Sequence, residues 1–498
     1  MTTPSASPRA STPRPRVRPP LRPGVAVLVA AAGLLGACSH PGTAPSPGVF
    51  WTPPPRQERG APQAPPPEIP PDVIARVQQL TITDVVDVAL RNNTATSAAW
   101  AQARAAAASY GAARSQYYPT ITLDGSVTTL KTAPFGGRVT AQQQFYGPTL
   151  NLSWLLLDFG ARGGSIGEAR EALVAADWTH NAVIQDVVLA VESAYFQYMA
   201  TKALLTAQQT TMAEARANLA AADQRHNVGL ATIADVLQAK TALSQAQLAL
   251  ESTEGAIQTT RGALALSMGL PANVPYDIDA PPSGAPPLGI VDSLDGLIER
   301  AVRERPDLNA ARAQARAAQA RVSVARGNAL PSLVVGGNTQ QTYFFDTTSS
   351  GNSYTATITL QIPLFSGGSH LYNIRAAQAA AQAAAQQARG LEQQVVYEVF
   401  RAYYTLRTAT QQVHTSGDLL TSATQSEQVA LGRYKAGAGN VLDVLTAQAA
   451  LASARAQEIQ ARFTWYTALA QLAHDTGILG LDGSSPLRVQ TDTTGAPR

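Results

Sequence analysis

One segment of this chain occurs twice. Arg225-His226-Asn227-Val228-Gly229-Leu230-Ala231-Thr232-Ile233-Ala234-Asp235-Val236-Leu237 returns as Arg433-Tyr434-Lys435-Ala436-Gly437-Ala438-Gly439-Asn440-Val441-Leu442-Asp443-Val444-Leu445, 208 positions later. The same spacing relates Val187-Val188 to Val395-Val396, Ala194-Tyr195 to Ala402-Tyr403, and Leu264 and Gly269 to Leu472 and Gly477. Upstream the spacing is 212: Ala101-Gln102-Ala103-Arg104 returns as Ala313-Gln314-Ala315-Arg316, and Arg114 and Pro119 as Arg326 and Pro331. A repeat this long implies two structurally equivalent halves. The change of four between Pro119 and Val187 is expected at a loop tip, where length is tolerated.

Charge is scarce for a chain of 498 residues, with only 14% charged side chains. The formal net charge of +3 is misleading, because Arg9, Arg14, Arg16, Arg18 and Arg22 lie in an N-terminal stretch without acids. Removing those five leaves 32 basic against 34 acidic residues. No basic patch for nucleic acid remains.

Residues 1–37 read as a lipoprotein signal peptide: an Arg-rich start, the apolar run Val25 to Leu35, then Gly36-Ala37-Cys38. The small residues before Cys38 fit a lipobox, which would make its thiol the acceptor of a diacylglyceryl group. A buried, inert thiol is the alternative. Ser39, in place of Asp, points to outer-membrane sorting. With one cysteine there is no internal disulfide. Residues 38–80 form a lipidated, Pro-rich N-terminal segment, since 19 of the 33 prolines lie at or before Pro71. Such a stretch is extended rather than helical.

Proline is absent between Pro148 and Pro271 and between Pro363 and Pro486, leaving long windows for helix. The spacing of apolar residues predicts helices of about 65 residues, roughly 100 Å, from Arg162 to Asn227 and from His370 to Lys435. Each is followed by a Gly-containing turn and a returning helix, Ile233 to Gly269 and Val441 to Gly477. Single shorter helices, Asp84 to Tyr117 and Leu294 to Asn328, are expected to open each copy. Ala replaces Leu at many apolar positions, which suits close helix packing.

Between the opening and the long helix the apolar period becomes two. Ile121, Leu123 and Val127 alternate with Thr and Ser; Leu150, Leu152, Trp154 and Leu156 with Asn151 and Ser153; Ile358, Leu360 and Ile362 with Thr and Gln. Leu333 to Tyr343 completes four strands in two hairpins. Strands of this kind suit a membrane barrel. Four cannot close one, and open edges in lipid leave backbone groups unsatisfied, so several chains must pool their strands.

This plan resembles the TolC-type outer membrane factor family, in its lipoprotein branch. The resemblance rests on the two turn motifs, on Tyr117-Tyr118-Pro119 and Ala329-Leu330-Pro331 leading into strands, and on Leu157-Asp158-Phe159-Gly160 and Pro363-Leu364-Phe365-Ser366-Gly367-Gly368 leading out. It covers Thr81 to Leu479. It implies a mainly α chain with membrane β: a homotrimer whose 12-stranded transmembrane β-barrel continues into a long periplasmic α-helical barrel, with an internal two-fold repeat per chain. The domains are then 81–270 for repeat 1 with a β-hairpin at about 119–158, 271–293 for a linker, 294–480 for repeat 2 with a β-hairpin at about 331–365, and 481–498 for a tail. The implied function is the passive exit duct of a tripartite efflux system of the RND multidrug type, in the cell outer membrane. Its partners are a periplasmic adaptor, an inner-membrane RND-type transporter and outer-membrane lipid. A type I secretion channel and a non-conducting coiled-coil lipoprotein are the alternatives.

The resemblance assigns residues. Val228, Gly229, Leu230, Ala436, Gly437 and Ala438 match the family tips that face the adaptor; a plain helix-turn-helix corner is the other reading. Asp235 and Asp443 match acidic positions at the closed end of the tunnel and could gate it. Each also stands three residues after an N-cap type, Thr232 or Asn440, as in a capping box. Tyr434 matches a family tyrosine that bonds towards the first-copy Asp, which implies a Tyr434–Asp235 latch. Gly439 and Thr446 stand where some members carry a latch Arg and a second Asp. The six His are isolated, and no nucleophile elbow, P-loop or Rossmann fingerprint is present. An enzyme, a cofactor and a metal are therefore not expected, beyond the acyl lipid on Cys38.

Overall fold

The computed structural model describes residues 79–132, 141–278 and 293–479. The chain divides into Met1–Pro66 and Pro67–Arg498, and every described residue belongs to the second unit. The signal peptide, Cys38, most of the 38–80 segment, most of the linker and the 481–498 tail lie outside the described residues.

The first copy comprises α1 (Ile82–Asn92), α2 (Thr94–Arg114), a 3-10 turn (Ser115–Tyr117), β1 (Thr120–Thr132), β2 (Ala141–Leu157), α3 (Ala161–Asn227) and α4 (Ile233–Ser267). The second comprises α5 (Leu294–Glu304), α6 (Pro306–Gly327), β3 (Ser332–Phe344), β4 (Ser350–Gln361), α7 (Ser369–Lys435) and α8 (Val441–Asp475). Helices α3 and α7 have 67 residues each, and α4 and α8 have 35 each. No helix among the described residues is long and apolar enough to cross a membrane.

The opening helices are not single, as the sequence suggested. Asn93 breaks the first: its backbone is extended, and its side chain accepts the Ala95 N–H at 2.8 Å as the N-cap of α2. Arg305 breaks the second, followed by Pro306, which occupies the first turn of α6 where a missing N–H is harmless.

Both breaks make room for a second helix end. Helix α4 stops at Gly269, whose φ is +73°, and a Cβ there would stand 2.7 Å from the Asn92 carbonyl oxygen. Helix α8 stops at Gly477, whose φ is +75°, against the Arg305 backbone. So α2 continues the line of α4, and α6 the line of α8, beside the two long helices. On the sheet side the neighbours run α2–α3–α6–α7; on the turn side they run α4–α3–α8–α7.

Backbone geometry repeats as faithfully as the sequence. Among the described residues the positive-φ positions form four pairs 208 apart: Phe159 and Gly367, Gly160 and Gly368, Gly229 and Gly437, Gly269 and Gly477. Phe159, at φ 48°, is the non-glycine member.

The four strands form one antiparallel sheet in the order β1-β2-β3-β4. Thr120 pairs with Ser153 in the first hairpin and Ser332 with Gln361 in the second. These pairs correspond at spacings of 212 and 208, so the change of four falls in the connection between the strands of each hairpin. One sheet face carries Ile121, Leu123, Leu150, Leu152, Trp154, Val335, Ile358 and Leu360; the other carries mainly Thr, Asn, Gln and Ser. Most of the apolar face is exposed: Leu123 is 73% accessible and Ile358 74%.

The main core lies at the waist where the helix ends meet. Val85, Val86 and Val88 of α1, Val188 and Val191 of α3, Leu264, Leu297, Val395, Val399 and Leu472 are all buried there. Each such side chain contributes about 1.5–3 kcal/mol on burial. Towards the turns the packing changes to alanine. Ala215 and Ala423, Ala239 and Ala447, and Ala246 and Ala454 are buried pairs 208 apart, and their small side chains let the paired helices approach closely.

Candidate functional site: the tips of the helical hairpins

Both tips are built by the same backbone device. In the first, Leu230 N–H donates to the Arg225 carbonyl at 2.8 Å and Gly229 N–H to His226 at 2.9 Å. In the second, Ala438 N–H donates to Arg433 at 2.9 Å and Gly437 N–H to Tyr434 at 3.1 Å. This pair of bonds is the Schellman ending of a helix. It needs a left-handed residue, supplied by Gly229 at φ 77° and Gly437 at φ 76°.

The chain then re-enters a helix through a capping box. Thr232 Oγ1 accepts the Asp235 N–H, while the Asp235 carboxylate accepts the Thr232 N–H at 2.8 Å. Asn440 Oδ1 accepts the Asp443 N–H at 2.8 Å, and the Asp443 carboxylate accepts the Asn440 N–H at 3.5 Å. Both carboxylates therefore cap α4 and α8 in the first turn, where the helix dipole favours negative charge.

Tyr434 makes a different contact from the one the resemblance implies. Within the protomer its ring lies under Arg225, with the guanidinium carbon 4.2 Å from the ring centre. Arg225 Nη2 also donates to the Tyr434 carbonyl at 3.2 Å. The Asp235 carboxylate is turned to Thr232 instead. Arg225 closes the first tip against the second, and sequence reasoning passed over it because both copies carry an Arg there.

The two tips are unequal in their apolar surface. Val228 is 69% exposed and Leu230 76%, with Ile233 and Leu237 also exposed beside them. The second tip presents Ala436, Gly437 and Ala438 at the same places. Ile233 and Leu237 extend the first patch from the Val228-Gly229-Leu230 turn onto the start of α4; their signal was apolar type in the first turns of a helix.

Away from the tips, the joint between the first hairpin (α3, α4) and the second (α7, α8) is held by polar groups. Asn218 bonds Gln448. Arg455 grips Glu214 through two bonds, at 3.1 and 3.2 Å. Phe196 stacks on Tyr466 at 5.2 Å. At the waist His474 Nε2 meets Asp186 at 2.9 Å and its Nδ1 meets Asp475 at 3.0 Å. Burial opposes charge on this imidazole, but the two carboxylates raise it to about 9. Nearby, the buried Arg305 is held by Asp307 and Glu398. At the opposite end, Arg162 lies over the Tyr117 ring at 4.6 Å and donates to the Leu155 carbonyl at 2.7 Å. Trp154 Nε1 donates to the Tyr117 carbonyl at 3.0 Å. These bonds fix the sheet to the helices.

A sheet with one exposed apolar face, joined to a wall of long helices, is the build of a membrane channel subunit. Known proteins place it more closely. A crystal structure of a membrane protein from Pseudomonas aeruginosa superposes with a TM-score of 0.71 at 25% identity, covering 80% of this chain and 93% of that one. The outer membrane protein VceC from Vibrio cholerae shares the fold at a TM-score of 0.71 and 20% identity, covering 81% and 97%. Protein CyaE of Bordetella pertussis is 32% identical over 450 residues, 87% of this chain and 92% of that protein. The family model for outer membrane efflux proteins matches residues 85–270 and 297–477, one match in each copy. The chain belongs to the outer membrane efflux protein family, and its place is the outer membrane.

Proposed function

We propose that three copies of this chain form the passive exit duct of a tripartite efflux system. A 12-stranded barrel would cross the outer membrane and twelve helical segments would wall a periplasmic tunnel. The observation that carries this reading is the four-stranded sheet with two free edges and an exposed apolar face, continuous with two 67-residue helices. Four strands alone leave edge N–H and C=O groups without partners in lipid; three chains pooling them close the ring.

In this reading the periplasmic adaptor docks on Val228, Gly229 and Leu230 and on Ala436, Gly437 and Ala438, with an inner-membrane RND-type transporter behind it. The larger apolar patch of the first tip makes it the stronger anchor. Cys38 carries the acyl lipid. Asp235 and Asp443 from three copies place six carboxylates around the narrow end, which favours cations.

The test is purification of the lipidated chain in detergent and its insertion into planar bilayers. A heat-labile trimer with cation-preferring conductance is expected. A non-conducting monomer overturns the duct. Labelled palmitate incorporated by the native chain and lost in Cys38→Ser checks the anchor.

A further inference from the structure

One patch on the polar face of the sheet breaks the pattern of that face. In the duct the apolar face meets lipid, so the polar face lines the lumen. Register puts Thr122, Ser126, Thr149, Asn151, Asn338 and Gln340 on that lumen face. At the strand ends far from the helices it turns apolar. Phe145 and Phe344 stand directly opposite one another, their ring centres 6.3 Å apart and the rings tilted by 59°. Leu130 pairs with Gln143, which makes it diagonal to Phe145, and it is exposed.

Neither the membrane nor the repeat accounts for these two rings. The aromatic residues suited to the lipid boundary lie on the opposite face, where Tyr146 stacks on Tyr343 at 5.4 Å and meets Phe345 at 4.9 Å. The hairpin registers relate β1 to β3 at a spacing of 212 and β2 to β4 at 208. At those spacings the counterparts of Leu130, Phe145 and Phe344 are Thr342, Ser353 and Thr132. All three are hydroxyl residues, the type this face carries elsewhere. A cross-strand aromatic pair does tie β2 to β3. Tyr146 and Tyr343 do so one residue away, however, without placing apolar surface in a water-filled lumen.

We propose that Phe145 and Phe344 form a stacking site on the lumen wall for aromatic groups of the exported molecule. The site occurs once per copy, and so three times around the barrel. The proposal rests on the duct and adds to it the chemical class of cargo that the outer end of the barrel favours. Rings held there offer faces and edges for the offset or edge-to-face contacts that aromatic groups prefer. Such a contact favours a passing aromatic group about three- to tenfold over the polar wall. That is weak enough for release, as conduction requires.

The test is block of the single-channel current of the full-length protein in planar bilayers, with the probe added at the barrel end. Proflavine is a planar tricyclic cation, and tetrabutylammonium carries the same charge without an aromatic ring. Matching the charge cancels the attraction of Asp124, the one charged residue on the lumen face of the described strands. Phe145→Ser/Phe344→Thr, which installs the counterparts from the other copy, should weaken proflavine block about three- to tenfold and leave tetrabutylammonium block unchanged. If that variant does not assemble, Phe145→Leu/Phe344→Leu keeps the apolar bulk and should lose the same preference. Unchanged proflavine block in a conducting variant, with only the thermal midpoint lowered, makes the pair a tie between strands and overturns the site. Proflavine block that appears only on deletion of residues 135–138 assigns the rings to the connection between β1 and β2 and overturns it as well. These failures are read on a native chain that conducts; a native chain that never conducts overturns the duct and the site together.

Discussion

At the tips, Tyr434 lies beneath a guanidinium rather than beside a carboxylate, and this changes what should hold the two hairpins together. A cation over an aromatic face contributes about 0.5–2 kcal/mol and needs the ring, not the hydroxyl. Arg225 also donates to the Tyr434 carbonyl, so its side chain ties the first tip to the second in two ways. Tyr434→Phe should therefore leave the resting conductance of the purified channel unchanged. Tyr434→Leu and Arg225→Gln should raise it and sensitise cells to large antibiotics. Opening by Tyr434→Phe, together with opening by Asp235→Asn, would instead assign the latch to the hydroxyl and the carboxylate. Asp235→Asn should lower stability by about 0.3–1 kcal/mol through the helix start and weaken the cation preference, since it removes three of the six carboxylates, without opening the resting channel.

Among the helices, the decisive arrangement is the abutment of α4 on α2 and of α8 on α6, beside unbroken α3 and α7. The long helices were legible in the sequence because proline is missing from their windows and the turn motifs mark their ends. The breaks at Asn93 and Arg305 were not, although Asn93 and Pro306 are typical helix-start residues. Helix-forming sequence lies on both sides of each position, so no change of residue type marks the break. What forces the break is the helix end arriving from 174 residues away, where Asn93 Nδ2 donates to the Ser267 carbonyl. The glycines at these abutments are under two demands, whereas Gly229 at the tip is under one. Ala at Gly229 meets only the left-handed penalty of about 1–2 kcal/mol, since nothing lies within 4 Å of its Cβ site. Ala at Gly269 must in addition displace the Asn92 carbonyl. The thermal midpoint of Gly269→Ala should therefore fall well below that of Gly229→Ala. Equal midpoints would show that the two helix ends can separate freely.

The described residues of the larger unit form two structurally equivalent copies that differ where polar groups gather. The duplication and the tip glycines could be read from their fixed offset, and the four strands from their period-two alternation. The polar waist could not, since Asp186 and His474 are 288 positions apart and their copies, Gln394 and Leu266, carry no charge. Among the waist groups whose folded pKa lies above the unfolded value, two titrate at or below about pH 9. Glu192, only 4% exposed, is pushed up to about 7 by burial; His474 is raised to about 9, its two carboxylates overcoming burial. Between about pH 4.5 and 7 the unfolded chain releases the Glu192 proton while the folded chain keeps it, so stability falls as pH rises. The His474 contribution is fully present below about pH 6.5 and is lost as pH rises through 9. The two windows adjoin, so the thermal midpoint of the detergent-solubilised protein should decline from pH 5 to pH 9.5. Glu192→Gln should flatten the lower limb and raise the midpoint at pH 8, where the native carboxylate is charged and buried. His474→Gln should flatten the upper limb and lower the midpoint at pH 6, where the imidazolium bridges Asp186 and Asp475. A lower limb unchanged by Glu192→Gln would place the source of that slope elsewhere in the waist.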